Sequence, residues 1–144
     1  MFNFFKKKSY NPNEVMLGGL TANQKMSAIN LLCLIARSDG MFTKREIEYM
    51  NTCYLGYSLE QCSSYMNLSG NDGMLSDLKQ LSSSQKDYLL VTAFELMLCD
   101  GKINETEKNV FEWAFENLGY TQDGMIEVME KAMLLKRKFN SGRN

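Results

Sequence analysis

Asp39-Gly40-Met41-Phe42-Thr43-Lys44-Arg45-Glu46 and Asp100-Gly101-Lys102-Ile103-Asn104-Glu105-Thr106-Glu107 are two copies of one pattern, Asp-Gly-x-apolar-[Thr/Asn]-x-x-Glu, 61 residues apart. Gly40 and Gly101 suit the left-handed residue that ends a helix. Thr43 and Asn104, each with Glu three residues on, suit the N-cap that starts the next one. The same offset lays Gln24-Lys25 on Gln85-Lys86, and an offset of 63 lays Leu55-Gly56-Tyr57-Ser58 on Leu118-Gly119-Tyr120-Thr121. Each copy therefore reads helix, Asp-Gly turn, helix, Leu-Gly-Tyr turn, helix, with two extra residues in the second helix of the second copy. A unit of about 40 residues is too small to bury a core alone. The expected architecture is one all-α bundle built from two pseudo-symmetric helical-hairpin repeats, about 22–66 and 83–131.

The helix starts extend this reading along the chain. Thr21…Gln24, Ser58…Gln61 and Ser82…Gln85 are further capping boxes, beside Thr43…Glu46 and Asn104…Glu107. In such a box the side chains satisfy two otherwise unpaired backbone N–H groups. After Asn104, the residues Val110, Phe111, Ala114, Phe115 and Leu118 form one apolar stripe of helical period. Residues 26–36 and 88–99 are apolar nearly all round, as central helices are. Seven helices are expected, near 22–38, 44–55, 59–66, 74–81, 84–99, 105–118 and 123–139, with Asn71-Asp72-Gly73 as a turn before the fourth. Nothing alternates with a period of two long enough for a sheet.

Composition agrees with this and removes several functions. The chain has 144 residues, 44% hydrophobic and 23% charged, the size and make-up of a single globular domain. One proline and ten glycines favour helix over loop-rich folds, and eleven methionines do so too. There is no histidine, which excludes Ser-His-Asp triads, Cys-His dyads and histidine metal sites. Cys33, Cys53, Cys62 and Cys99 form no C-x-x-C pair and lie in apolar stretches, as free thiols of a reducing compartment do. No apolar run approaches a membrane span, and no secretory leader is read at the start. A cytoplasmic protein is expected.

Net charge is −1 but is segregated. Lys6, Lys7 and Lys8 near the start, and Lys131, Lys136, Arg137, Lys138 and Arg143 at the end, give the two ends +8 with no acid among them. Residues 11–130 hold all 17 acids and carry −9. The ends suit an anionic membrane surface or an acidic partner, whereas an acidic body argues against nucleic acid. The domain is expected over 21–139, with 1–20 a basic N-terminal tail and 140–144 a C-terminal tail.

Capping chemistry explains most of the repeated motif, but not its aspartates. An anion at a helix C-terminus opposes the macrodipole by roughly 0.3–1 kcal/mol. A bond from a turn N–H, or a cation, offsets that. The motif matches the second half of an EF-hand loop, yet the positions of its first ligands would fall on Ile35 and Arg37, or Leu96 and Leu98, so neither copy is an EF-hand. A site shared between copies is the metal hypothesis. Asp39, Glu46, Asp100 and Glu107 offer four carboxylates, an all-oxygen set suited to Ca²⁺, Mg²⁺ or Mn²⁺.

Two helical hairpins, each bearing this element, make the chain resemble the tellurite-resistance TerB-like family over about residues 22–131. The family often has Ala before Asp-Gly, where this chain has Ser38 and Cys99. The resemblance implies a compact bundle of about seven helices and a metal site at Asp39, Glu46, Asp100 and Glu107. It implies a role in bacterial stress and tellurite resistance near the inner membrane, with integral-membrane protein partners, and it brings no established catalytic activity. The leading expectation is a non-enzymatic interaction module, cytoplasmic or peripheral to the inner membrane. The alternatives are a metal-dependent hydrolase using the same carboxylates, and a metal-free membrane-peripheral adaptor. Trp113 and the stripe Met125, Met129, Ala132, Met133 are expected to be core, and Ser82 an N-cap.

Overall fold

The computed structural model describes residues 19–37, 57–99 and 103–141, with side chains through 134. Among them are five helices and no strand: α1 (Ala22–Ala36), α2 (Leu59–Lys79), α3 (Ser83–Met97), α4 (Glu105–Asn117) and α5 (Gln122–Ser141). The all-α expectation is met. The helix expected at 44–55 lies outside the described residues.

Three of the helices begin on the capping boxes read in the sequence. Thr21, Ser58 and Ser82 each accept from the N–H of a glutamine three residues on, and each glutamine side chain accepts from the cap's own N–H. These bonds run from 2.8 to 3.2 Å. Removing such a cap costs about 1 kcal/mol.

The stretch without a polar stripe is the centre of the bundle. In α1 every residue from Ser27 to Cys33 is buried, as are Ile35 and Ala36, and α1 packs against α2, α3 and α4. One hydrophobic cluster links all five helices, with Leu31, Leu78, Leu90 and Phe115 among its fully buried members. The two polar side chains buried in α1 both bond to α2. The Ser27 hydroxyl donates to Asp77 Oδ2 at 2.7 Å, and Asn30 Nδ2 donates to the Cys62 carbonyl at 2.9 Å. Neither buried group is left unpaired, which would cost about 1–3 kcal/mol.

The boundaries inside α2 differ from expectation. Two helices were expected, at 59–66 and 74–81, with Asn71-Asp72-Gly73 as the turn between them. The chain instead breaks at Gly70, where φ is 67° and ψ −177°, a region open essentially to glycine alone. Asn71-Asp72-Gly73 forms the first helical turn after that break. Asn and Asp serve helix starts as readily as loops, because both can satisfy exposed N–H groups. Gly73 is required by packing. A Cβ there would stand 2.7 Å from the Cβ of Ser69.

The Leu-Gly-Tyr turn after α4 closes as the sequence suggests. Gly119 takes φ 103°. Its N–H donates to the Glu116 carbonyl at 3.1 Å, and the Tyr120 N–H donates to the Phe115 carbonyl at 3.0 Å. This is the paired-bond Schellman ending. Its apolar contact is also present, with the Tyr120 and Phe115 rings meeting edge-on at 5.9 Å.

Candidate functional site

Of the four carboxylates assigned to a metal, only Glu107 falls among the described residues; Asp39, Glu46 and Asp100 lie outside them. Glu107 sits in the first turn of α4. Asn104 Oδ1 accepts from the Thr106 N–H at 2.8 Å and the Glu107 N–H at 3.2 Å, so Asn104 is the N-cap expected, through its own half of the capping box. The Glu107 residue is only 4% exposed. Among the described residues no group of three or more acidic or cysteine side chains is arranged to hold a metal ion.

The structure does form an apolar groove between α3, α4 and α5. Phe94 and Met97 line it from α3, Ile103 and Phe111 from α4 and its approach, and Met125 and Met129 from α5. It encloses about 280 Å³ and opens to solvent. Lys108 and Glu112 supply the charges at its wall. Three of these six apolar residues are methionine, whose flexible thioether adapts to partners of varied shape. Ile103 precedes the N-cap Asn104 and is 41% exposed. It has no apolar staple partner four residues into the helix, since Lys108 stands there.

Two sequence expectations about core positions are corrected here. Trp113 was expected in the core but is 38% exposed, because it lies nearly opposite the Phe111–Phe115 stripe on α4. Of the methionine stripe, Met125 is buried and Met129 partly so, as expected. Met133 is 43% exposed.

Two tyrosine–aspartate pairs went unnoticed in the sequence. Tyr65 OH donates to Asp77 Oδ2 at 2.6 Å, the same oxygen that Ser27 reaches. Tyr120 OH donates to Asp87 Oδ1 at 2.5 Å. The hydrogen bond to Asp77 is the main cause that raises the Tyr65 phenol above its ordinary value, with burial and the Asp77 charge adding to it. For Tyr120, burial acts first and the Asp87 bond second, and its phenol is held far above the usual range. The repeated Leu-Gly-Tyr turn was the available signal for Tyr120. Nothing local marked Asp87. Both pairs fasten helices together, and neither opens on the groove.

Cys33 and Cys62 are buried, and Cys99 is half-buried. Burial pushes the Cys62 thiol up to about 11, with the neighbouring Cys33 adding to the effect. Thiols so placed behave as packing groups and not as nucleophiles. Among the described residues no helix is long and apolar enough to cross a membrane. Comparison with protein-family models, curated proteins and solved structures returns no match to this chain.

Proposed function

We propose that the protein is a non-enzymatic helical interaction module of the TerB-like kind, serving a bacterial stress system from the cytoplasm or the inner-membrane surface. The supporting observation is the open, methionine-rich groove of α3, α4 and α5. A groove of this composition suits the apolar face of a partner's amphipathic helix. The absence of histidine from the whole sequence weighs against the common hydrolytic machineries. In this reading the two hairpin copies form one pseudo-twofold bundle.

The groove is tested with methyl-labelled methionine and an 18-residue amphipathic peptide rich in Leu and Phe. The Met125 and Met129 methyl resonances are expected to shift on titration. Ile103→Glu is expected to weaken binding at least about tenfold, the effect of placing a charge in an apolar contact. Unmoved methyl resonances would remove the groove from consideration.

The divalent-cation site at Asp39, Glu46, Asp100 and Glu107 is part of the same proposal. Its support is the all-oxygen donor set that the two motifs offer. Such an ion would bridge the two Asp-Gly turns and stiffen the bundle. Calorimetric titration of Ca²⁺, Mg²⁺ and Mn²⁺ is expected to give heat with the wild type that disappears in Asp39→Asn/Asp100→Asn. Equally negligible heats in both would leave the turns as caps alone.

A further inference from the structure

The groove of α3, α4 and α5 is apolar inside and acidic at its rim. Ile103 and Ile126, on its α4 and α5 walls, are 41% and 48% exposed. The charges around them follow helical spacing. On α4, Glu105 lies three residues before the wall residue Lys108, Glu112 four after it, and Glu116 four further on, so all share one column. On α5, Asp123 lies three residues before Ile126 and Glu130 four after it, so both flank that side chain. Glu112 is half-buried in the wall, and the other four acids are exposed.

Five acids therefore border the groove against one lysine. Among the described residues no cation pairs with them; the ion pair found there joins Glu127 to Lys131 at 3.1 Å, farther round α5. Like charges so placed leave a negative field over an apolar slot. An anionic lipid surface, a nucleic acid or an acidic peptide meets that field with its own sign. A neutral apolar helix fills the slot and leaves the rim unanswered. A helix whose apolar stripe is bordered by Lys or Arg answers both. Such long side chains lay their alkyl stems along apolar surface while their charged ends reach the rim.

Resting on the groove reading above, we infer that the occupant is a cationic amphipathic helix of a partner protein, with Leu, Phe or Met along its apolar stripe and Lys or Arg on both flanks. The stripe supplies most of the affinity, and the rim charges select the partner and speed its arrival. Each exposed charge pair is worth about two- to threefold in affinity, so three together are worth about tenfold. That selection weakens as salt rises, because the rim is open to solvent.

The test uses the full chain and three 18-residue helical peptides that share one Leu/Phe stripe and differ in their flanks, which are Lys, Gln or Glu. Binding is read from the Met125 and Met129 methyl resonances at about 50 and 500 mM salt. At low salt the Lys peptide is expected to bind about tenfold more tightly than the Gln peptide, and the Glu peptide more weakly than either. At high salt the three are expected to converge. Glu112→Gln/Glu116→Gln/Glu130→Gln is expected to lose that tenfold for the Lys peptide, to hold its affinity for the Gln peptide and to keep its helical circular dichroism. Equal binding of the Lys and Gln peptides overturns the inference and leaves the groove reading standing, as does a triple variant that keeps the preference. Methyl resonances that no peptide moves remove both. Methyl resonances that move with protein concentration in the absence of peptide also overturn the inference, and assign the groove to a second copy of this chain.

Discussion

Gly70 and Gly73 stand three residues apart and are glycine for different reasons. At Gly70 there is open space around the site of a Cβ, and the constraint is the backbone, held at φ 67°. Gly70→Ala is expected to destabilise by about 1–3 kcal/mol through conformation alone. At Gly73 the backbone is helical and the constraint is the Ser69 Cβ at 2.7 Å. Gly73→Ala is expected to be destabilising in the wild type and tolerated once Ser69→Gly removes that atom. Denaturant unfolding of the two single variants and the double variant checks this. A favourable coupling of about 1 kcal/mol is expected, and additive effects would show that the close approach has no energetic consequence. Sequence alone marks both residues as helix breakers and does not tell these two causes apart. The expected turn was therefore placed at Asn71-Asp72-Gly73, one residue beyond the true break.

Between elements, the polar ties are few and specific. Asp77 receives both the Ser27 hydroxyl of α1 and the Tyr65 hydroxyl from the other segment of α2, so one carboxylate holds three pieces of chain. Tyr120 does the same for the α4–α5 connection, through Asp87 on α3. Its consequence is a stability that depends on alkaline pH. The Tyr120 phenol is raised in the folded state, so the fold favours the neutral phenol over the phenolate. That stabilisation is complete below the unfolded value of about 10, and it fades as pH rises from there through the folded value. Tyr120→Phe is expected to lower stability by about 1.5 kcal/mol near neutral pH, the worth of a hydrogen bond to a charged group. The deficit is expected to shrink above about pH 10. Unfolding free energies of both proteins from pH 7 to 11 check it. A deficit constant with pH would mean that Asp87 does not hold the phenol neutral. The cap residues were legible as local patterns, whereas Asp77 and Asp87 were not, because their partners lie 50 and 33 residues away.

At the scale of the whole molecule, burial of α1 against α2 is the main event, and two cysteines report on it. Cys33 and Cys62 are buried, and the Cys62 thiol is raised to about 11. In a Cys53→Ser/Cys99→Ser background, labelling of both by a disulfide reagent at pH 8 is expected to be at least about a thousandfold slower than for a free thiol. It should rise with denaturant in step with global unfolding, since only opening of the core exposes them. Rapid labelling under native conditions would mean that the two helices separate without unfolding. The sequence by itself determined the helical class, the capped starts of α1, α2, α3 and α4, the glycine ending of α4 and the central place of α1. Each of these is fixed by chemistry within a few residues, or by an apolar run that admits one environment. Only the tertiary structure decided where α2 breaks, which face of α4 leaves Trp113 in solvent, that Met133 is left exposed on α5 while Met125 is buried, and that a methionine groove opens between α3, α4 and α5. Those features depend on which distant side chains come together, and helical periodicity records that a face is apolar without recording what covers it.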